Sequence, residues 1–131
     1  MNTLKKRKSG KKGFTLMEML IVVAIIGILI AIMIPTFSNA LNKARVSADE
    51  ANLRSYYADV ISDHMLNDTD LPATTTTGAT EVTIDGVKYT LQAGKYTIEA
   101  DTDNDTIKIQ YAIEKGPDAG TTVTIPGGEK N

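Results

Sequence analysis

The residues of this chain that could carry out chemistry are few, and they belong to a narrow range of types. The sequence has one histidine, His64, and no cysteine. Nucleophilic and metal-hydrolytic catalysis need a nucleophile beside a base or a set of metal ligands, and the sequence presents neither pattern. We therefore expect no catalytic residues and no enzyme activity. Two groups remain notable: a carboxylate inside an apolar run, and a row of acids in a turn.

The carboxylate belongs to Glu18, the one charged residue between Phe14 and Phe37. From Met19 to Ile34 every residue is apolar, counting the glycine among them. At about 1.5 Å per residue, the run from 14 to 37 makes a helix of roughly 36 Å, enough to cross a hydrocarbon layer of about 30 Å. Because an unpaired carboxylate is costly in lipid, Glu18 needs a partner there.

A partner for Glu18 becomes available if the chain is cut just before the run. Residues 1–13 hold six basic residues and no acid, and they end in Gly13. Cleavage after Gly13 would give Phe14 a new α-ammonium group about one helical turn from Glu18. The two charges can pair within a subunit or between staggered neighbours, and pairing offsets desolvation only where the geometry brings them together. Phe14 and Glu18 are therefore the predicted assembly residues.

The residues around this boundary read Lys12-Gly13-Phe14-Thr15-Leu16-Met17-Glu18-Met19-Leu20-Ile21. This run resembles the class III signal of type IV pilins and of type II secretion pseudopilins. Pro35 also falls where members of that family commonly have a proline.

The resemblance implies a path from membrane to filament. A prepilin peptidase in the membrane would cut between Gly13 and Phe14 and methylate the new amino group of Phe14. The subunit would then pass through an inner-membrane assembly platform and polymerise with other copies of itself. We expect a single-pass membrane protein with a cytoplasmic N-terminus before assembly, and an extracellular pilus afterwards.

Three other interpretations stay open on the sequence. The chain resembles a major pseudopilin of a secretion or competence system as much as a pilus subunit, because both share the N-terminal residues. An ordinary secretory signal with a cut near Ser38-Asn39-Ala40 is a second possibility, although the apolar run is longer than such signals have. A membrane-anchored binding domain that never polymerises is the third.

The charge distribution supports a membrane orientation. Six of the fourteen basic residues lie in residues 1–13, so eight basic and sixteen acidic residues remain in the rest of the chain. A basic leader before an apolar helix is typical of a cytoplasmic N-terminus. The acidic remainder would repel phosphates, so we predict no direct nucleic-acid binding by the free subunit.

Residues 38–66 are predicted to continue the helix with an amphipathic pattern. Gly27 and Pro35 interrupt the apolar part, and a kink is expected there. One apolar face is indicated by spacings of three, four or seven, broadened by Tyr57, Val60 and His64. Its members are Phe37, Leu41, Ala44, Ala48, Ala51, Ala58, Ile61 and Met65, while Asp49, Glu50, Arg54, Asp59 and Asp63 lie largely off it.

After the helix, a polar threonine-rich connection covers 67–80, and from residue 81 the apolar residues recur with period two. Asp85-Gly86 between alternating runs is a strong hairpin signal. Four or five strands are predicted within 81–126, the most regular around Ile107–Ile113. The fold class is therefore α+β and pilin-like: a long N-terminal helix, half transmembrane and half amphipathic, packed on an antiparallel sheet of three to five strands, with a head from 38 to 131.

The row of acids is Asp101, Asp103 and Asp105. Alternate carboxylates on a tight turn can present oxygens to calcium, as the first half of an EF-hand loop does. The remaining positions of such a loop do not match, so a solvated hairpin turn is favoured over a weak calcium site. We expect no other cofactor.

Overall fold

The structure, a computed structural model, describes residues 13, 15–128, 130 and 131. The rest of the predicted leader, residues 1–12, and the predicted N-terminal residue Phe14 lie outside the described part. One helix is followed by five strands: α1 Leu16–Asn67, β1 Glu81–Ile84, β2 Val87–Thr90, β3 Gly94–Asp101, β4 Thr106–Ile113 and β5 Thr122–Ile125. The predicted α+β class is confirmed. The chain divides into two compact units at Pro35 and Thr36.

The first unit contains the apolar part of α1. An 18-residue window of this helix has a mean hydropathy of 3.0 and no buried residue, so the helix is long and apolar enough to cross a membrane. The helix continues through Gly27 and through Pro35, so neither residue ends it. The kink at these residues stays a prediction.

The second unit is built around strand β4. Its apolar side chains are buried and the residues between them are exposed, as the period-two pattern predicts for a strand with one covered face. The core also includes Leu53 from α1 and Ile125 from β5, both fully buried. Tyr56 of the helix packs edge-on against Tyr96 of β3, with ring centroids 6.1 Å apart. Helix and strands therefore share one core.

The strands form two antiparallel sheets rather than the single sheet that the sequence suggests. The predicted hairpin at Asp85-Gly86 is confirmed: β1 pairs with β2, and both turn residues have positive φ, as a two-residue turn of this kind requires. The other sheet has the order β3-β4-β5. An isolated bridge between Ala79 and Tyr96 connects the segment before β1 to β3.

The threonine-rich segment covers the edge of β3. The amide of Thr75 donates to the carbonyl of Ile98 at 2.8 Å, and the Thr75 hydroxyl accepts from the Ile98 amide at 2.9 Å. The Thr74 hydroxyl accepts from the Ala100 amide at 3.0 Å. The side chains are exposed, as expected for a connection, but the hydrogen bonds protect a strand edge that would otherwise be open to pairing.

The predicted packing face of the helix is wrong in most of its members. The buried residues of α1 are Val46, Asp49 and Leu53, and the partly buried Tyr57, Val60 and Ile61 continue this stripe. The remaining predicted members are exposed: Phe37, Leu41, Ala44, Ala48, Ala51, Ala58 and Met65. Both stripes satisfy helical spacing, and the helix packs through the one with the larger side chains because alanine buries little apolar area.

Gly94, the first residue of β3, is where the fold tolerates no side chain. A Cβ added there would clash with the Ala112 carbonyl oxygen and lie 2.8 Å from Cε2 of Tyr111. We predict that Gly94→Ala destabilises the head by about 2 kcal/mol, the usual cost of overpacking a tight core. Urea unfolding of the full chain in detergent micelles measures this loss of unfolding free energy.

Gly127→Ala is the matched control, since a Cβ there meets only the Thr124 carbonyl oxygen, at 3.9 Å. Equal unfolding midpoints for the two variants would contradict the close packing at Gly94.

Candidate functional site

The start of α1 carries a reciprocal pair of hydrogen bonds between Thr15 and Glu18. The Thr15 amide donates to Oε2 of Glu18 at 2.9 Å, and the Glu18 amide donates to Oγ1 of Thr15 at 3.3 Å. This arrangement is a capping box, which satisfies two amides that the first turn of a helix leaves without partners. The pattern Thr-x-x-Glu before an apolar run signals it, and the sequence analysis missed it by treating Glu18 only as a charge.

Glu18 therefore has a fixed place at the helix start even in the isolated subunit. One accepted hydrogen bond uses only part of the capacity of a carboxylate, which can accept about four. The side chain is exposed, so the remaining lone pairs are open to an ammonium group. The predicted ammonium partner belongs to Phe14, which lies outside the described residues.

Gly13, the predicted residue before the cut, is exposed and precedes the helix. A Cβ added to Gly13 would meet no atom within 4 Å. The bond that follows Gly13 therefore comes before α1, which begins at Leu16.

The apolar part of α1 is a site in its own right, because its side chains are exposed all around the helix. Ile28 is 62% exposed, Leu29 is 57% exposed and Ile30 is 49% exposed, and successive residues of a helix point about 100° apart. A helix that is apolar on every side needs lipid or other apolar helices around it.

In the second unit, a buried carboxylate joins the helix to the strands. Asp49 is 1% exposed, and its carboxylate accepts hydrogen bonds from three groups that lie beyond the helix in the chain. The amide of Gln92 donates to both carboxylate oxygens at 2.9 and 3.0 Å, the amide of Ala93 donates at 2.8 Å, and the Tyr111 hydroxyl donates at 2.6 Å. Burying a carboxylate is tolerated only when hydrogen bonds replace its water, and these donors do so.

The environment of Tyr111 keeps its hydroxyl a donor. Burial raises the pKa of Tyr111 well above the ordinary value, and the hydrogen bond to Asp49 adds to this rise. The phenol therefore stays protonated at neutral pH and above it. Sequence reasoning missed this cluster because an aspartate in an amphipathic helix is usually exposed.

At the other end of the head, His64 connects three segments. Its Nδ1 lies 2.6 Å from the Thr69 carbonyl oxygen, and its Nε2 lies 3.0 Å from Oδ2 of Asp105 in the β3–β4 turn. These hydrogen bonds to Asp105 and Thr69 raise the pKa of His64, against a smaller opposing effect of burial.

Two carboxylates of the acidic turn, those of Asp101 and Asp105, form contacts within the protein. Asp101 accepts from the amide and the side-chain nitrogen of Asn104 and forms an ion pair with Lys108 at 3.3 Å, and these contacts lower the pKa of Asp101. Among residues 13, 15–128, 130 and 131, the structure forms no group of three or more acids or histidines that could hold a metal ion. The calcium site at Asp101, Asp103 and Asp105 stays a prediction without a preformed ligand set.

Comparison with known proteins adds independent findings. A family model described as the prokaryotic N-terminal methylation motif matches residues 8–34. The type IV major fimbrial protein FimA of Dichelobacter nodosus strain VCS1703A is 36% identical over 115 residues, which span 79% of this chain and 68% of that protein. This chain belongs to the type IV pilin family. The resemblance of residues 12–21 to the pilin signal is thereby confirmed.

Shorter matches to relatives show a higher identity. Another FimA of Dichelobacter nodosus is 60% identical over 40 residues, which are 30% of this chain and 26% of that protein. The type IV narrow pilus major component PilA5 of Thermus thermophilus is 52% identical over 50 residues, or 36% of this chain and 43% of that protein. The matched segment thus spans about a quarter of the first of these relatives. No solved structure matches the pilin chain significantly.

The Asp49 cluster generates a stability prediction. Asp49→Ala leaves the Gln92 and Ala93 amides and the Tyr111 hydroxyl without their acceptor, so we expect a loss of about 3 kcal/mol in unfolding free energy. Tyr111→Phe should lose about 2 kcal/mol, the range for a hydrogen bond to a charged group. Denaturant unfolding of the full chain in micelles, with the double variant, measures both.

The half-buried neighbour Glu50 provides the control, since Glu50→Ala should change stability by no more than about 0.5 kcal/mol. Strictly additive losses in the Asp49→Ala/Tyr111→Phe cycle would show that the two groups do not interact.

Proposed function

We propose that this pilin is the structural subunit of a type IV pilus, held in the membrane by the apolar part of α1, cleaved after Gly13 and polymerised through that helix. One observation carries the proposal: a match to the methylation motif coincides with an apolar helix that is exposed on all sides. Such a surface has two stable surroundings, lipid before assembly and apolar helices after it. Relatives named as major fimbrial and pilus components support a pilus over a pseudopilus.

Cleavage after Gly13 fits the local structure. A peptidase must bind its substrate in an extended form, and this bond precedes the first helical residue. The residue is also exposed and free of close contacts, so access to it requires no unfolding of α1. The prepilin peptidase is the proposed partner for this step and for methylation of Phe14, and an inner-membrane platform is the partner for assembly.

Assembly is proposed to bring Glu18 of one subunit to the α-ammonium of Phe14 in its neighbour. Two features of Glu18 support this role. The capping hydrogen bond fixes the carboxylate at the helix start, which lowers the entropy lost on pairing, and its remaining lone pairs can accept from an ammonium. Since an isolated charge in a low-dielectric surrounding is costly, only the register that pairs both charges is stable.

The proposed orientation follows from the leader. Its basic residues hold the N-terminus in the cytoplasm, the apolar part of α1 crosses the membrane, and the acidic head lies on the outer side. The assembled filament is then extracellular.

Processing gives the direct test. We expect the chain from sheared surface filaments to begin at N-methylated Phe14, and Gly13→Leu to remain uncut because the peptidase site would lose its small residue. Intact-mass analysis of sheared material beside washed membranes measures both. The control is Gly10→Leu, the same exchange three residues earlier in the leader, which should still be cut. Mature chain confined to membranes would indicate a pseudopilus, and a chain still starting at Met1 would indicate an anchored domain that does not polymerise.

Charge pairing at Glu18 is tested by two variants that differ in the capping box. Glu18→Ala loses both the charge and the cap, whereas Glu18→Gln loses the charge and keeps an acceptor for the Thr15 amide. If the charge drives assembly, both variants should be processed and inserted normally, and both should reduce sheared filament yield at least tenfold. Quantitative immunoblots of the sheared fraction measure this. Normal filament yield from Glu18→Gln would refute the pairing and leave Glu18 as a helix cap.

A further inference from the structure

The end of α1 is held by one side chain with two oxygen partners. The helix ends at Asn67, and His64 lies in its last turn. One ring nitrogen of His64 faces the carbonyl oxygen of Thr69, just beyond the helix, at 2.6 Å. The other faces the carboxylate of Asp105, 41 residues further along the chain, at 3.0 Å. The ring therefore bridges the helix end, the segment that follows it, and the turn between β3 and β4.

Both of these partners are acceptors. A backbone carbonyl has no proton to donate, and an ionised carboxylate has none either. Neutral imidazole carries one N–H, so it can donate to Thr69 or to Asp105 but not to both. The imidazolium ion carries two N–H groups and satisfies both partners. The observed contacts are therefore complete only when the ring is charged.

The charged groups around the ring favour that state. Asp105 in the β3–β4 turn and Asp68 after the helix act on the ring, and Asp70 and Asp101 line the same surface cavity. His64, Asp70, Asp101 and Asp105 line one surface cavity of about 260 Å³. Lys108 of β4 is paired with Asp101 at 3.3 Å. The acidic side chains that act on the ring therefore favour its charged form.

The backbone near both oxygen partners is in an uncommon conformation. Asp68, which immediately precedes Thr69, has φ of 53°, and Asp105 has φ of 51°. Left-handed backbone is unfavourable for residues other than glycine and persists where surrounding contacts hold it. The contacts of His64 supply such a restraint on either side of the ring.

We propose that His64 is a pH-sensitive latch, which fastens the end of α1 to the β3–β4 turn when the ring is protonated and releases that turn when the ring is neutral. Because its pKa is raised by these contacts, the stabilisation is fully present below the ordinary value of about 6.5 and is lost as pH rises through the value in the folded chain. The latch lies wholly in the head and does not depend on filament assembly.

The ring can be observed directly because His64 is the only histidine of the chain. We would label the full chain with ¹⁵N-histidine in detergent micelles and follow both ring nitrogens by NMR from pH 5 to pH 9. The expected titration midpoint lies above about 6.5, the ordinary value. Asp105→Asn should lower the midpoint. The matched control Asp103→Asn removes the same charge from the same turn without touching a bond to the ring, so it should lower the midpoint less.

A second measurement tests release of the turn. Amide hydrogen exchange at residues 102–106, expressed as protection relative to the intrinsic rate at each pH, should fall across the His64 midpoint in the wild type. In the His64→Gln variant, the protection of these amides should be low at every pH. A midpoint at or below the ordinary value would overturn the proposal, as would equal shifts for the two aspartate variants. A raised midpoint with protection that does not change with pH would also overturn the proposal, because the charged ring would then not hold the β3–β4 turn.

Discussion

The head of this pilin depends on a carboxylate that is almost completely buried. Asp49 lies on the face of α1 that meets the strands, and its oxygens accept from the amides of Gln92 and Ala93 and from the Tyr111 hydroxyl. A buried acid that lost these donors would be costly, so helix and sheet are stable in one register only. Apolar contacts alone would tolerate small shifts along the helix, whereas these directional bonds do not.

The two units of the chain differ in whether their apolar side chains are buried within the unit. The second unit buries an apolar core of its own, and the edges of its three-stranded sheet are protected by the threonine-rich segment on β3 and by Asn131 on β5. The first unit leaves its apolar side chains exposed, which water does not allow, so its folding is inseparable from lipid or from other copies. The proposed storage in a membrane and the proposed growth into a filament both satisfy that one constraint.

Much of the fold was predictable from local patterns. The alternation from Ile107 to Ile113 and the turn at Asp85-Gly86 are short-range signals, and both are confirmed. The packing face of α1 was not predictable, because two adjacent stripes satisfy helical spacing and only contact with the sheet selects one. The division into two sheets likewise depends on whether β2 pairs with β3, and in the structure it does not.

The candidate sites divide in the same way. The sequence by itself determined the apolar run, the glycine before it and the carboxylate at its start, because length, hydropathy and a capping pattern are properties of neighbouring residues. Only the tertiary structure decided that Asp49 is buried and that His64 meets Asp105. Those contacts join residues more than 40 positions apart, and whether an acid or a histidine is buried or paired depends on which strands the fold brings to it.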